Sequence, residues 1–290
     1  MNEPPYHRPV ALEDGSALSI DKLVLDLTAT RDWTDVEGAL RSYFGSECVR
    51  PYGSGKGAAI GGYEMRWTIQ VDADKSFFLG VNLRLKGRVE SAKGRIEFCP
   101  NKLMSNERFS AFLRWLENAA KASDPVRFDL AQDFVVNPSR LLLVKNRKTL
   151  RTITASTTTY QLGRHNVPGF YRQYDKAVES NLVGPLTRCE MTCDANWRYL
   201  GVQRNIPRVI VLGEPGVVSA DAAHINRETV VLARLMAADA LEGRNVAVEL
   251  CELDYRTSAK VVDLICAREL NLFPESGVEK ILDQVRGWRK

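Results

Sequence analysis

The sequence predicts an α+β fold: two strand-rich units with antiparallel sheets and packed helices, followed by a helical C-terminal segment. Three observations carry this expectation. Runs rich in aromatic and β-branched residues, such as YEMRWTIQVD and SFFLGVNLRLKG, are separated by Asp, Lys and Gly, which punctuate antiparallel strands. NERFSAFLRWLENAAKA spaces Phe109, Phe112, Leu113 and Leu116 by three and four, the apolar stripe of a helix lying on such a sheet. From about Ala220 onward the pattern turns helical.

Taken in order, DKLVLDLTA reads as a strand and TDVEGALRSYF as a helix from about Thr34 to Phe44, with Asp35 capping it or favouring its N-terminal dipole. The glycines of YGSGKGAAIGGYEM make a loop; it contains GSGKG but lacks the GxxxxGK[ST] spacing of a phosphate-cradling loop. SAKGRIEFCP completes a three-strand meander ahead of the amphipathic helix. Pro125 marks a junction, after which RFDLAQDFVV, RLLLVKN, RTITASTTTYQLG, GFYRQYDKAV, LTRCEMTCD and RVIVLG form the second strand-rich unit, a candidate structural relative of the first. INRETVVLARLMAADAL, TSAKVVDLICAREL and GVEKILDQVRGW then read as helices, the middle one capped by Thr257 or Ser258 with Val261, Val262, Ile265 and Cys266 inward. The expected units are therefore 1–124, 125–213 and 214–290.

With 290 residues, 44% hydrophobic and 26% charged, the chain fits an ordinary globular protein of one large or two small domains. No apolar run approaches the roughly 18 residues of a membrane span, and MNEPPYHRPVALEDG lacks a signal-peptide core, so a cytoplasmic location is expected. Cys48, Cys99, Cys189, Cys193, Cys251 and Cys266 show no CxxC spacing and read as reduced thiols. His7, His165 and His224 are far apart in sequence, which weighs against a histidine-rich metal site. Between Arg140 and Ile210 stand twelve Lys or Arg against four Asp or Glu, a local +8 in a chain of net charge +4. Such a concentration suits a phosphate-binding surface; the alternative is a solvated face without a partner.

The period of two along a strand decides which side chains share a face. In RFDLAQDFVV, Arg127, Asp129, Ala131 and Asp133 fall together, opposite Phe128, Leu130, Gln132 and Phe134. In LTRCEMTCD, Arg188, Glu190, Thr192 and Asp194 oppose Cys189, Met191 and Cys193. In GFYRQYDKAVE, Phe170, Arg172, Tyr174 and Lys176 share a face if the segment is extended. Carboxylates, cations and a tyrosine on one side of a sheet are the groups phosphodiester cleavage uses: oxygen ligands for Mg²⁺ or Mn²⁺, a nucleophile, and cations near the developing charge. Ordinary cross-strand ion pairing on a half-exposed sheet gives the same pattern.

RFDLAQDF, TTTYQLGRHNVPGFYRQYDKAVE and LTRCEMTCD, in that order, resemble the motifs of the replication-initiation factors of rolling-circle plasmids and filamentous phages. That family's R-x-D-x-A-x-D corresponds to Arg127, Asp129, Ala131 and Asp133; its Y-x-G strand to Tyr160, Leu162 and Gly163; its R-x-Y-x-K-x-x-E to Arg172, Tyr174, Lys176 and Glu179; its R-x-E to Arg188 and Glu190. IDKLVLDL resembles the family's opening strand, and RIEFCPNKL its E-F-N-P-x-K-L segment, with Cys99 where asparagine is usual. The resemblance spans roughly residues 19 to 194; each motif is short, and the specificity lies in their order and spacing.

The resemblance implies nicking of one DNA strand at an origin by a tyrosine, leaving a 5′-phosphotyrosyl link and a free 3′-hydroxyl that primes synthesis. It points to Tyr174 as nucleophile, with Tyr171 as runner-up and Tyr160 and Tyr199 behind them. Asp129 and Glu190 are the preferred metal ligands, with Asp133 or Glu179 completing the oxygen shell. Lys176 or Arg172 would stabilise the transition state and lower the phenol's pKa from its usual value near 10. Arg127, Lys145, Arg147, Lys148, Arg164, Arg188 and Tyr171 are the expected nucleic-acid contacts. A helicase and a second copy of the chain are candidate partners for the terminal helices. The absence of a His-x-His pair separates the chain from histidine-cluster nickases and fits either a carboxylate-based site or lost catalysis. The competing readings are a DNA-binding protein that does not cut, an RNA-binding or RNA-processing protein, and a small-molecule enzyme; the last lacks both a dinucleotide fingerprint and a GxSxG elbow.

Overall fold

The structure, a computed structural model, describes residues 8–29, 33, 35–51, 62–85, 88–144, 150–154, 158–213, 225–242 and 255–289. Among these the chain runs β1 (Val10–Ala11), β2 (Ala17–Ala29), α1 (Val36–Phe44), β3 (Val49–Pro51), β4 (Tyr63–Asp72), β5 (Lys75–Leu85), β6 (Arg88–Phe98), α2 (Pro100–Leu103), α3 (Glu107–Ala119) and β7 (Ala120–Phe134). It continues with β8 (Leu141–Val144), β9 (Leu150–Thr154), β10 (Thr158–Leu162), β11 (Tyr171–Asp175), α4 (Lys176–Glu179), β12 (Thr187–Asp194), α5 (Tyr199–Gln203) and β13 (Arg208–Leu212). Last come α6 (Arg227–Leu241), α7 (Tyr255–Ile265), β14 (Cys266–Glu269) and α8 (Glu275–Arg286). The class is α+β, as expected.

One large antiparallel sheet has the order β3-β4-β5-β6-β2-β7-β12-β11-β10-β9, with β1 added beside β2. The expected junction between residues 124 and 125 falls inside β7, which pairs with β2 from Ala120 to Asp133, so the two strands stay paired across that position, with a register shift between Pro125 and Arg127. A smaller sheet has the order β14-β13-β8, and Leu141, Leu143, Val209 and Val211 of β8 and β13 are buried in the main core. The GSGKG loop lies outside the described residues.

Alternation explains which face is covered. Phe128, Leu130 and Phe134 of β7 and Cys189, Met191 and Cys193 of β12 are buried in the main core, as the period of two predicts. Phe44, Phe77 and Phe112 meet edge to face or tilted at centroid distances of 5.4–5.6 Å, seating α1 and α3 on β5. Gln132, the polar exception on the apolar face of β7, is fully buried yet satisfied: its amide nitrogen donates to Ser16 Oγ at 2.9 Å and its carbonyl accepts from the Phe273 backbone N–H at 2.7 Å. That bond helps dock the chain leading into α8, whose Val278, Ile281, Leu282 and Val285 are buried in the same core.

A second core packs α6 and α7 on the small sheet through Ala233, Met236, Val261, Val262 and Ile265 against Leu142, Ile210 and Leu212. α7 departs from the expectation at both ends. The helix begins at Tyr255, so Thr257 and Ser258 lie within it and do not cap it. It also ends at Ile265: Cys266 is half-buried at the start of β14, where Ile210 pairs with Glu269 and Leu212 with Cys266. The pull of β13 on this segment overrides the helical spacing of CAREL. The five described cysteines, Cys48, Cys99, Cys189, Cys193 and Cys266, are free thiols. Among the described residues no helix is long and apolar enough to cross a membrane.

Candidate active site on the open face of the sheet

The sheet face opposite the helices gathers the polar positions of β2, β7, β12 and β11. Cross-strand register aligns Lys22 with Asp129, Asp129 with Thr192, Ala131 with Glu190, Asp133 with Arg188, Glu190 with Arg172, and Arg188 with Tyr174. The alternation thus brings together Arg172, Tyr174, Arg188, Glu190, Asp129 and Asp133, as the sequence pattern expects.

At the centre, Tyr174 Oη donates to Glu190 Oε1 at 2.6 Å. The other carboxylate oxygen, Oε2, accepts from Arg172 Nε. The Arg172 guanidinium lies 5.3 Å from the Tyr174 ring centroid, and Lys176 Nζ lies 6.0 Å from it. Glu190 is only 2% exposed. Burial, followed by the neighbouring Asp21, pushes its carboxyl up to about 7, with Arg172 and the Tyr174 hydrogen bond opposing. Tyr174 is also buried, and its phenol is raised well above the usual value by burial and then by Glu190, while Arg172 and Arg188 oppose. The expectation that Arg172 or Lys176 lowers the tyrosine's pKa is therefore reversed: desolvation and the facing carboxylate outweigh the cations.

Arg188 has a structural task. Its Nε and Nη2 form a fork on Asp133 at 2.6 and 2.7 Å, and Nη1 reaches Asp21 at 2.6 Å. With its side chain 11% exposed and its donors engaged, it is corrected from a nucleic-acid contact to the organiser of a buried ion network. Tyr171 is likewise corrected. It is 0% exposed in the main core, its hydroxyl donates to Gln173 Oε1 at 3.2 Å, and burial pushes its phenol well up, so it neither meets nucleic acid nor shares the face of Tyr174.

The four expected metal ligands do not converge. Asp133 is engaged by Arg188, and Glu179 lies on α4 in an ion pair with Lys176. Asp129 accepts from Thr192 Oγ1 at 2.8 Å and lines a cleft of about 140 Å³ with Glu190, Lys22, His165, Asn166, Phe170, Arg172 and Thr192. Among the described residues no three His, Cys, Asp or Glu side chains gather in a way that could hold a metal ion. Arg127 lies beside this cleft, donating to the Asn166 carbonyl at 2.7 Å, and Arg164 is exposed on the adjoining loop. Lys145, Arg147 and Lys148 lie outside the described residues.

Sequence reasoning missed Asp21, Lys22 and His165. Two residues on β2 advance the pairing from Ile20↔Leu130 to Lys22↔Asp129, so Asp21 is an extra residue in the strand. That irregularity sends Asp21 to Arg188 and defeats any period-two reading. His165 sits on the β10–β11 loop, edge-on to Phe170 at 5.2 Å, where partial burial and then Arg172 lower its pKa. A lone histidine in a loop gives no local signal.

No family profile matches the sequence, and no curated protein matches it. Among solved structures the chain is similar to that of a rolling circle replication initiator protein from Geobacillus stearothermophilus, with a TM-score of 0.36 and 12% identity, over 79% of this chain and 98% of that one.

Proposed function

We propose that the chain starts replication by nicking one DNA strand, with Tyr174 as the nucleophile. The observation that carries this reading is the pairing of the Tyr174 hydroxyl with the buried Glu190 carboxylate, 2.6 Å apart, beside a cleft to which all three ordered motifs contribute residues. Tyr174 Oη attacks the scissile phosphorus, the P–O3′ bond breaks, and a 5′-phosphotyrosyl link and a free 3′-hydroxyl result. The phenol proton passes to Glu190, its acceptor. The 3′ oxygen takes a proton from water. Arg172 holds Glu190 in place and, with Lys176, sets positive charge near the tyrosine.

The cleft offers a divalent cation fewer carboxylates than the four expected. Mg²⁺ can be held by one or two carboxylates completed by substrate phosphates and water, and of the two that line the cleft Asp129 would be the ligand, because both oxygens of Glu190 are engaged by Tyr174 and Arg172. Bound there, Mg²⁺ or Mn²⁺ would supply charge neutralisation at the phosphate. Asp133 and Glu179 are not part of that pair.

The second reading is DNA binding without cutting. It is favoured by the burial of Tyr174 at 7% exposure and by its raised pKa, which keep the phenol protonated in the resting protein. The two readings separate when the protein is incubated with supercoiled plasmid bearing candidate origins, or with pooled single-stranded oligonucleotides, plus Mn²⁺, and denatured. A covalent DNA adduct that disappears in Tyr174→Phe supports nicking. An adduct that persists in Tyr174→Phe removes Tyr174 from the role. Salt-sensitive binding with no adduct on any substrate favours the second reading.

A further inference from the structure

The open face repeats itself. Outward from the central pair, the sheet runs β2-β6-β5-β4-β3 on one side and β7-β12-β11-β10-β9 on the other. Laying one half on the other matches β2 to β7, β6 to β12 and β5 to β11, and the register then fixes the residue correspondence. Arg95 is paired with Asp26 across β6 and β2, and its Nε donates to Asp26 Oδ1 at 2.6 Å. Arg188 is paired with Asp133 across β12 and β7, and its Nε donates to Asp133 Oδ1 at 2.6 Å. Two residues further along, Glu97 takes the place of Glu190, so Arg-x-Glu occurs in both halves on the same face. The outer edge strands agree as well: Arg50–Thr68–Phe78–Glu97 and Arg151–Gln161–Arg172–Glu190 are matching rows across the strands. The pair Lys22↔Asp129 lies on the axis of the repeat.

The correspondence fails at the chemical groups. Phe78 and Gly80 stand where the other half has Arg172 and Tyr174, and Lys22 stands where it has Asp129. A different tyrosine fills the space. The ring of Tyr63, on β4, lies over Gly80, where an added Cβ would sit 2.8 Å from it. Its phenol is raised by burial and feels Arg95, Asp26 and Glu97. Arg95 is also more available than Arg188. It gives Nε to Asp26, its side chain is 28% exposed, and its Nη nitrogens have no acceptor among the described residues. Lys22 joins the two clusters, bonding Glu97 at 2.7 Å and lining the cleft with Asp129, Arg172 and Glu190.

We propose that Arg95, with Tyr63 and Lys22, forms a second phosphate site that grips DNA on this face without cutting it. The proposal rests on the DNA reading of the Tyr174 site. Exchanging the carboxylate of Asp129 for the ammonium of Lys22 turns a place for a divalent cation into a fixed positive charge, which attracts phosphate directly. β6 and β12 are three strand spacings apart, about 14 Å, so one strand of DNA can touch both sites.

The test is binding of a fluorescein-labelled single-stranded oligonucleotide, followed by anisotropy from low to high salt. Arg95→Gln should weaken binding about tenfold and reduce the slope of log K against log salt by about 0.7, one phosphate contact on a single strand. Asp26→Asn, which releases Arg95 from its partner, should tighten binding; a folding defect cannot produce that sign. If the wild type binds and forms its Tyr174 adduct while both variants keep wild-type affinity and slope, the second site is refuted and the nicking reading stands. A DNA adduct recovered on Tyr63 also refutes it, because the site would then cut. A wild type that binds no DNA overturns both readings.

Discussion

Arg188→Met should be the most damaging single change on the open face. The methionine keeps most of the aliphatic volume and removes the charge. Three charge-assisted hydrogen bonds of 2.6–2.7 Å to Asp133 and Asp21 are lost, and Glu190, 4.0 Å from the guanidinium, loses a compensating charge. Breaking a buried ion pair from one side costs about 3–5 kcal/mol, because the stranded charge stays buried. Asp133 and Asp21 retain 31% and 21% exposure of their side chains, so water softens the penalty and the lower end, about 3 kcal/mol, is expected. With a urea slope of about 3 kcal/mol/M, the unfolding midpoint should fall by about 1 M at pH 7. Adding Asp133→Asn removes one stranded carboxylate, and the double variant should recover about 1–2 kcal/mol. The deficit should also shrink in acid as the stranded carboxylates take up protons. A loss under about 1 kcal/mol for Arg188→Met, or a double variant whose loss is the sum of the two singles, would refute the network.

Three further outcomes follow from the same geometry. Glu190, raised from an ordinary value of 4.5 to about 7, contributes stability that is complete below the lower value and lost as pH rises through the upper one. The native protein should therefore lose about 3 kcal/mol from this group between pH 4.5 and 8, Glu190→Gln should flatten that part of the profile, and superimposable pH profiles would contradict it. Cys99, pushed up to about 11 chiefly by burial and next by Asp21, should alkylate with iodoacetamide hundreds of times more slowly than a free thiol at pH 8, gaining about tenfold per pH unit; mass spectrometry showing free-thiol rates at pH 8 would sink this. Gly277→Ala places a Cβ 2.5 Å from Leu18 Cδ1 and 2.8 Å from Leu12 Cδ2, an overpacking that costs about 1–3 kcal/mol. Its thermal midpoint should drop, and an unchanged midpoint would show that α8 is more loosely seated than described.

The strand faces were legible because alternation is a local property. Phe128, Leu130 and Phe134 reported the buried side of β7 and Asp129 and Asp133 the open side, and register then placed Glu190 beside Arg172. What alternation does not encode is competition among the polar groups. Arg188 looked like Arg172 in the sequence, yet the bulge at Asp21 supplies it with a second acceptor and takes it out of the surface. Tyr171 and Tyr174 were both extended-strand tyrosines; parity separated them, and burial then reversed the expected shift of Tyr174. CAREL was read as helix because its spacing allows one, while the vacant edge of β13, distant in sequence, decided for strand.

The docking of α8 also sets a timetable for synthesis. Ser123 Oγ donates to the Trp288 carbonyl at 2.7 Å, Trp288 packs on Phe98 at 5.6 Å, and Phe273 is tied to Gln132. β2 and β7 thus receive part of their apolar cover from residues translated about 140 positions after β7 ends. At ~5–20 residues per second, that delay is roughly 7–30 s. For that interval the nascent chain presents a partly uncovered central sheet, so its yield should depend on chaperone capacity and on the rate at which ribosomes reach α8.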